Sequence, residues 1–207
     1  MMKRSGAMNR DNREKPLDQN LVEQAYARWA PVYDVVFGAV FAPGRAAGIK
    51  AAERIGGRIL EVGVDICEPM LRKAKERVAT QGLSHVEMLA VMDGTRLAFV
   101  DASFDVVVAQ FVITAVPDPE ATLDEFARVL RPGGEIVLVN HFATDAEPLR
   151  TLERGFAPLA RRLGWRPDFP FRRLSDWAAR AGLPLLERRQ TPPLALFSLL
   201  RFAKAAV

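Results

Sequence analysis

Cysteine occurs once in the 207 residues, and histidine only twice. A lone thiol, Cys67, can neither close an internal disulfide nor hold a metal by itself. A disulfide-stapled fold and a cysteine-based metal centre are therefore excluded, and a reducing compartment is expected. Long apolar runs are missing as well: no stretch approaches the roughly 18 residues that span a bilayer. Nothing at the start reads as a signal peptide, so the chain is expected in the cytoplasm. Hydrophobic residues make up 49% and charged residues 26%. That balance excludes wholesale disorder and suits a single globular domain with a proper core. A net charge of +4 favours anionic partners, a phospholipid surface or nucleic acid, without choosing between them.

What is present falls into three parts. Residues 1–16 are polar, charged and aperiodic, which predicts a disordered terminus. Over 17–55, Leu21, Ala25, Trp29, Tyr33, Phe37 and Phe41 recur at near-helical spacing. Pro31, Gly38 and Pro43-Gly44 break the pattern, so two or three short helices are expected. From Gly56 to the end the pattern is α/β. ILEVG reads as a short buried strand, PMLRKAKERVATQG as an amphipathic helix, and HVEMLAVMDG as a strand with a turn. FDVVVAQFVITAV is a continuous apolar run, as in a strand buried on both faces. DPEATLDEFARVLRPGG reads as a helix closed by its Pro-Gly-Gly, EIVLVNHF as another strand, 146–182 as a helical, Arg-rich cap, and LPLLERRQ and LALFSLLRF as two last strands. Strands alternating with helices predict a doubly wound, mostly parallel, Rossmann-like sheet, here with N-terminal helices and a small helical cap.

Ligands of open parallel sheets bind outside the carboxyl ends of the strands. Those ends carry Glu61 and Gly63, Asp65, Met92-Asp93-Gly94, Gln110-Phe111 and Asn140-His141. A carboxylate ending a second strand suits a ribose diol, because it accepts hydrogen bonds from two neighbouring hydroxyls. One after a third strand suits an adenine amino group. Each alone is equally compatible with an ordinary polar strand end.

In their order, ILEVG, VDICEPML, the run from Asp93 to Asp105 (DGTRLAFVDASFD) and the LRPGG turn resemble the class I S-adenosylmethionine-dependent methyltransferases, over roughly residues 55–145. The resemblance implies S-adenosylmethionine as cofactor and S-adenosylhomocysteine as product. It places Glu61 and Gly63 in the acidic-glycine motif, Asp65 with Ile66 at the ribose, Met92, Asp93 and Gly94 at the adenine, and Gln110 and Phe111 at the methionine end. The flanks AYARWAPVYDVVFG, CEPMLRKA, VNHF and PPLALFSLLRF look like bacterial phosphatidylethanolamine N-methyltransferases. Quinone- and small-molecule-methylating relatives share the style of opening. A phospholipid acceptor implies a protein that rests peripherally on the inner face of a membrane. Val32 to Ala42, Arg161 to Arg173, and Lys50 with Arg54 are the candidates for apolar insertion and phosphate attraction. Aromatic and Arg residues together also suit single-stranded nucleic acid, but the target motifs of RNA- and DNA-directed relatives are not found, and no metal is expected.

N-methylation needs a neutral amine, so an ethanolamine ammonium must first lose a proton. His141, at a strand's carboxyl end, is the candidate base, since an imidazole can change charge near neutral pH. A purely local hydrogen-bonding role for it is the competing reading. Tyr26 and Tyr33, about two helical turns apart, are the candidates for holding a cationic head group over aromatic faces; Trp29 is more simply a core residue.

One interval does not fit. A parallel strand pair needs a crossover of a dozen or more residues, and the ribose acid of such halves lies about 20 residues beyond the glycine turn. Asp65 follows Gly63 by two positions. Relative to the family, about two dozen residues appear to be absent at Val62-Gly63: the rest of the glycine loop, the first crossover helix and most of the second strand. Either the protein carries those residues and the sequence given leaves them out, which the intact pattern of the remaining core favours, or the segment is truly deleted. In the second case the cofactor pocket should lose one backbone wall. The chain would then be expected to fail in binding S-adenosylmethionine and in folding stably, and to serve at most as a non-catalytic, membrane-associating module.

Overall fold

The computed structural model describes residues 40–63, 68–143, 168–192 and 195–206. Tyr26, Trp29, Tyr33, Asp65, Ile66, most of the helix expected to face the membrane and most of the basic loop Arg161 to Arg173 lie outside the described residues. Helix α1 covers residues 40–55 and is followed by β1 (Ile59–Val62). Then come α2 (Glu68–Gln81), β2 (Phe104–Gln110), α3 (Pro119–Val129) and β3 (Leu130–Asn140). The last elements are α4 (Phe171–Ala181), β4 (Leu185–Thr191) and β5 (Phe197–Ala203).

The five strands form one sheet in the order β1-β2-β3-β5-β4. β1, β2 and β3 run parallel, and β5 alone runs against its neighbours on both sides. This is the mixed, Rossmann-like sheet that the alternation of elements predicts. Val106 to Ala109 of β2 and Ile136 to Val139 of β3 are fully buried, as continuous apolar runs covered on both faces must be. Val106, Val108, Val137, Val139 and Leu199 face α1, where Phe41, Ala51 and Ala52 pack on them. Val107, Ala109, Ile136 and Leu138 face a larger core with Leu123 and Phe126 of α3 and Leu174 and Trp177 of α4.

Local chemistry accounts for the helix ends. The Asp118 side chain accepts a hydrogen bond from the Ala121 amide at 3.0 Å, Pro119 opens α3, and Arg128 lies in its last turn, the usual arrangement for a helix dipole. Gly182, at φ 68, closes α4 in the left-handed conformation that glycine adopts without strain. Arg131 and the turn after it are tied down by Asp105. The Asp105 carboxylate accepts from both the Arg58 amide at 2.7 Å and Arg131 Nη1 at 2.9 Å, joining the starts of β1, β2 and β3.

Two expectations are corrected. Pro43-Gly44 does not break a helix: residues 40–55 are one continuous helix. The ring fixes φ near about −65°, which is itself a helical value, so the helix continues through it. The second correction is larger. HVEMLAVMDG forms no strand; residues 85–93 are irregular, and among the described residues the amides of 87–92 donate to no backbone carbonyl. Met88 and Val91 are 55% and 43% exposed. β-Propensity is realised only against a neighbouring strand, and among the described residues none is there to pair with: β1 pairs with β2 on one side alone and forms the edge of the sheet.

Candidate functional site

The carboxyl ends of β1, β2 and β3 lie side by side, and α1 crosses above them. Gly44 and Gly48, one helical turn apart, make that crossing close. A methyl group added at Gly44 would stand 3.2 Å from both the Phe111 ring and Val139, and one at Gly48 would stand 3.0 Å from Gln110 Nε2 and 3.1 Å from Val139. Glycine suits both positions because a Cβ there would press on the Phe111, Val139 and Gln110 side chains, which would have to give way.

Three of the expected residues meet under this helix. Gln110 donates from its amide to the Arg45 carbonyl at 3.4 Å. Phe111, the first residue after β2, holds φ 63, a conformation that costs a bulky residue about 1–3 kcal/mol and recurs at functional sites. Its amide donates to the Val139 carbonyl at 2.7 Å. Its ring lies 4.5 Å from Phe41 and 5.0 Å from Phe197, with Phe41 and Phe197 5.4 Å apart, an aromatic trio at the mouth of the sheet. Glu61 shares the α1 face. The residue is exposed because its strand is an edge, yet burial of its carboxyl pushes the pKa above the ordinary 4.5, and the nearby Arg45 charge opposes the rise. The Arg45 guanidinium itself stands 5.9 Å from the centre of the Phe41 ring.

His141 follows β3 at the same edge. Its Nδ1 lies 2.7 Å from the Leu196 carbonyl. A carbonyl only accepts, so Nδ1 carries the proton, and in the neutral ring Nε2 becomes the acceptor nitrogen. Next to it Asn140, 1% exposed, donates to Thr114 Oγ1 at 3.0 Å.

On the adenine side the expected residues do not converge. The Asp93 carboxylate caps its own turn, accepting from the amide and the hydroxyl of Thr95, each at 2.8 Å. Met92 is half-buried against the larger core, and a Cβ on Gly94 would contact Thr122 at 3.3 Å. Gly63 ends the described stretch after β1. Arg45, Gly44, Gly48, Phe41 and Phe197 were not anticipated as site residues; the Gly-x-x-x-Gly spacing in α1 is the signal that marks a close helix crossing.

S-adenosylmethionine brings a sulfonium-activated methyl group. On its methionine side the residues present fit: Glu61, Gln110 and Phe111 are gathered under α1, and a partly desolvated carboxylate suits an ammonium group. On its adenosine side no strand stands beyond β1 among the described residues to form a wall, and Asp65 and Ile66 lie outside them.

Along the α1 flank, Lys50 and Arg54 line a shallow groove with Ala46, Ala47, Ala51 and Arg189. Arg189 is ion-paired with Glu187 at 2.7 Å. No helix among the described residues is long and apolar enough to cross a membrane.

Residues 40–138 match a family described as a methyltransferase domain. The chain is 38% identical to a phosphatidylethanolamine N-methyltransferase of Cereibacter sphaeroides, over 91% of this chain and 100% of that protein. That match runs over 206 positions while taking in 91% of this 207-residue chain, so the relative has positions for which this chain holds no residue. A demethylmenaquinone methyltransferase of Bacteroides fragilis is 34% identical over 91 residues, 44% of this chain and 37% of that one. Among solved structures, a SAM-dependent methyltransferase of Thermotoga maritima superposes with a TM-score of 0.60 at 19% identity, covering 87% of this chain and 99% of that one. Together with the sheet order, the carboxyl-edge cluster and the motifs that build it, these matches show that the chain belongs to the class I S-adenosylmethionine-dependent methyltransferases.

Proposed function

We propose that the chain methylates the amine of phosphatidylethanolamine, toward phosphatidylcholine, at a membrane surface. One observation carries the choice of acceptor. The likeness to a phosphatidylethanolamine N-methyltransferase runs the whole length of that relative, through the flanks that cover the site, whereas the likeness to a quinone methyltransferase is confined to less than half of either chain. Acceptor choice depends on those flanks, since the shared strand ends serve the cofactor.

The geometry supports the chemistry this acceptor demands. An ethanolamine ammonium must give up a proton before its lone pair can attack a methyl carbon. His141 takes that proton on Nε2, with Leu196 holding the ring in the receptive tautomer. The Phe41, Phe111 and Phe197 rings pack on one another as an apolar floor beside the strand ends, which would keep water from the amine. Lys50 and Arg54 supply positive charge for a lipid phosphate on the flank beside it.

The test is transfer of labelled methyl from millimolar S-adenosylmethionine to vesicles with and without phosphatidylethanolamine. Label should enter lipid only when phosphatidylethanolamine is present. Label in a quinone or a free amine instead, with none in lipid, would transfer the assignment to that acceptor.

A further inference from the structure

We infer that the sheet lacks one crossover unit, a turn, a helix and a strand, beyond β1, and that this loss loosens the hold on the adenosine half of the cofactor. The inference rests on membership of the family, and not on the choice of acceptor.

Three separate features of the same flank have this one cause. Among the described residues the outer edge of β1 is unpaired, and Ile59 on that strand is 40% exposed. Such an edge presents amides and carbonyls able to take a further strand. Next, Val86 to Met92 carries apolar residues in a β-prone order yet stays irregular, with 87–91 exposed between a half-buried Val86 and Met92. Finally, α2 has an apolar stripe of Leu71, Ala74 and Val78 at helical spacing, and each is only half-buried. An edge without a strand, a strand without an edge and a helix without a floor are what remains when the strand between them is removed.

Chain length makes the same point. Residues 63–67 alone join β1 to α2. Fully extended, they reach about 17 Å. That suffices to enter a helix, but not to build a crossover and a return strand, which take a dozen or more residues before the strand itself. The adenosine half is then left without a strand-built wall beyond β1 among the described residues. The methionine half is untouched, since Glu61, Gln110 and Phe111 are positioned by β1, β2 and α1.

The experiment uses S-adenosylhomocysteine as probe, without lipid, and reads binding and amide exchange rather than turnover. In the unaltered chain, residues 86–92 and the outward amides of β1 should exchange at unprotected rates, and S-adenosylhomocysteine should bind weakly. A second chain carries a designed turn-helix-strand unit of about two dozen residues between Gly63 and Val64. In it, binding should tighten at least tenfold, and 86–92 should become protected. Protection of 86–92 in the unaltered chain would mean that this run closes onto β1 by itself, and would overturn the inference. So would a spliced chain that folds but tightens binding less than tenfold. If the spliced chain does not fold, exchange at 86–92 in the unaltered chain decides the matter alone. Failure of lipid methylation with this binding pattern intact would count against the acceptor and leave the inference standing.

Discussion

Gly48 of α1 lies so close to Gln110 of β2 that a single added methyl would stand 3.0 Å from the Gln110 amide nitrogen and 3.1 Å from Val139. The helix and the carboxyl edge of the sheet are therefore in register at one backbone position. A larger residue must push α1 away and break the donation from Gln110 to the Arg45 carbonyl. Gly48→Val is expected to destabilise the fold by about 1–3 kcal/mol, the range for overpacking a tight interior. Urea denaturation gives the magnitude, and weaker S-adenosylhomocysteine binding should accompany it. A variant of unchanged stability would show that the crossing is looser than it looks.

Glu61 carries a pH signature. Burial raises its folded-state pKa above 4.5, so the folded state binds a proton more readily than the unfolded chain does. Stability contributed by this group therefore falls as pH rises from 4.5 through the raised value, and its ionised form is a net liability at neutral pH. Glu61→Gln should stabilise the protein at pH 7, show no such gain below pH 4.5, and bind S-adenosylhomocysteine less well because the ammonium loses its carboxylate. Parallel denaturation midpoints at the two pH values check the first part, and calorimetry checks the second.

Asp105 has the opposite sign. The Arg58 amide, followed by the Arg131 guanidinium, holds its carboxyl below the ordinary 3.8. The stabilisation is thus fully present above that value and is lost as pH falls through the lowered one. Asp105→Asn should lower the denaturation midpoint at pH 7 while closing the gap to wild type in strong acid. Its distance from the carboxyl edge leaves S-adenosylhomocysteine affinity unchanged in the fraction that remains folded.

Trp177 anchors α4. The indole is 1% exposed, packs edge-on against Phe202 at 6.1 Å, and donates to Asp124 of α3 at 2.8 Å. Trp177→Ala should cost about 3–5 kcal/mol. Trp177→Phe should recover most of that, leaving a deficit of about 1 kcal/mol for the lost hydrogen bond. Thermal melts of the two variants separate the packing from the polar contribution.

How much of this was legible in the sequence depended on where each residue's partner lay. FDVVVAQ announces a strand by composition because burial on both faces requires unbroken apolarity, and β2 is that strand. The Pro-Gly-Gly reads as the close of a helix, yet α3 ends earlier, at Val129, where Leu130 turns extended; Pro132 to Gly134 fall inside β3, where its register with β2 shifts. HVEMLAVMDG carries equally good local signals, yet it forms no strand, because pairing is a property of two segments and among the described residues none is there to pair with. Pro43 reads as a breaker because its ring removes an amide donor, yet its fixed φ is itself helical and the helix runs through it. Gln110 and Phe111 were legible as strand-end residues. Arg45 was not, because its place at the site is set by α1 crossing the sheet, a tertiary fact carried only by the spacing of Gly44 and Gly48.

His141 tests whether the base has been placed correctly. The Leu196 carbonyl, 2.7 Å from Nδ1, fixes the proton there, so that in this tautomer Nε2 is the basic ring nitrogen. Removing a general base typically costs about 10²–10⁴ in rate, whereas a residue that only ties β3 to the Leu196 turn would cost stability. His141→Ala and His141→Asn should each lower the rate of methyl transfer to phosphatidylethanolamine vesicles by about 10² or more, with S-adenosylhomocysteine affinity within threefold of wild type. Asn presents a donor near Nδ1 and should restore any stability that the Ala variant loses, but it supplies no base. Equal rates in His141→Asn and wild type would assign His141 to the fold, and the proton would then have to leave by another group at the carboxyl edge.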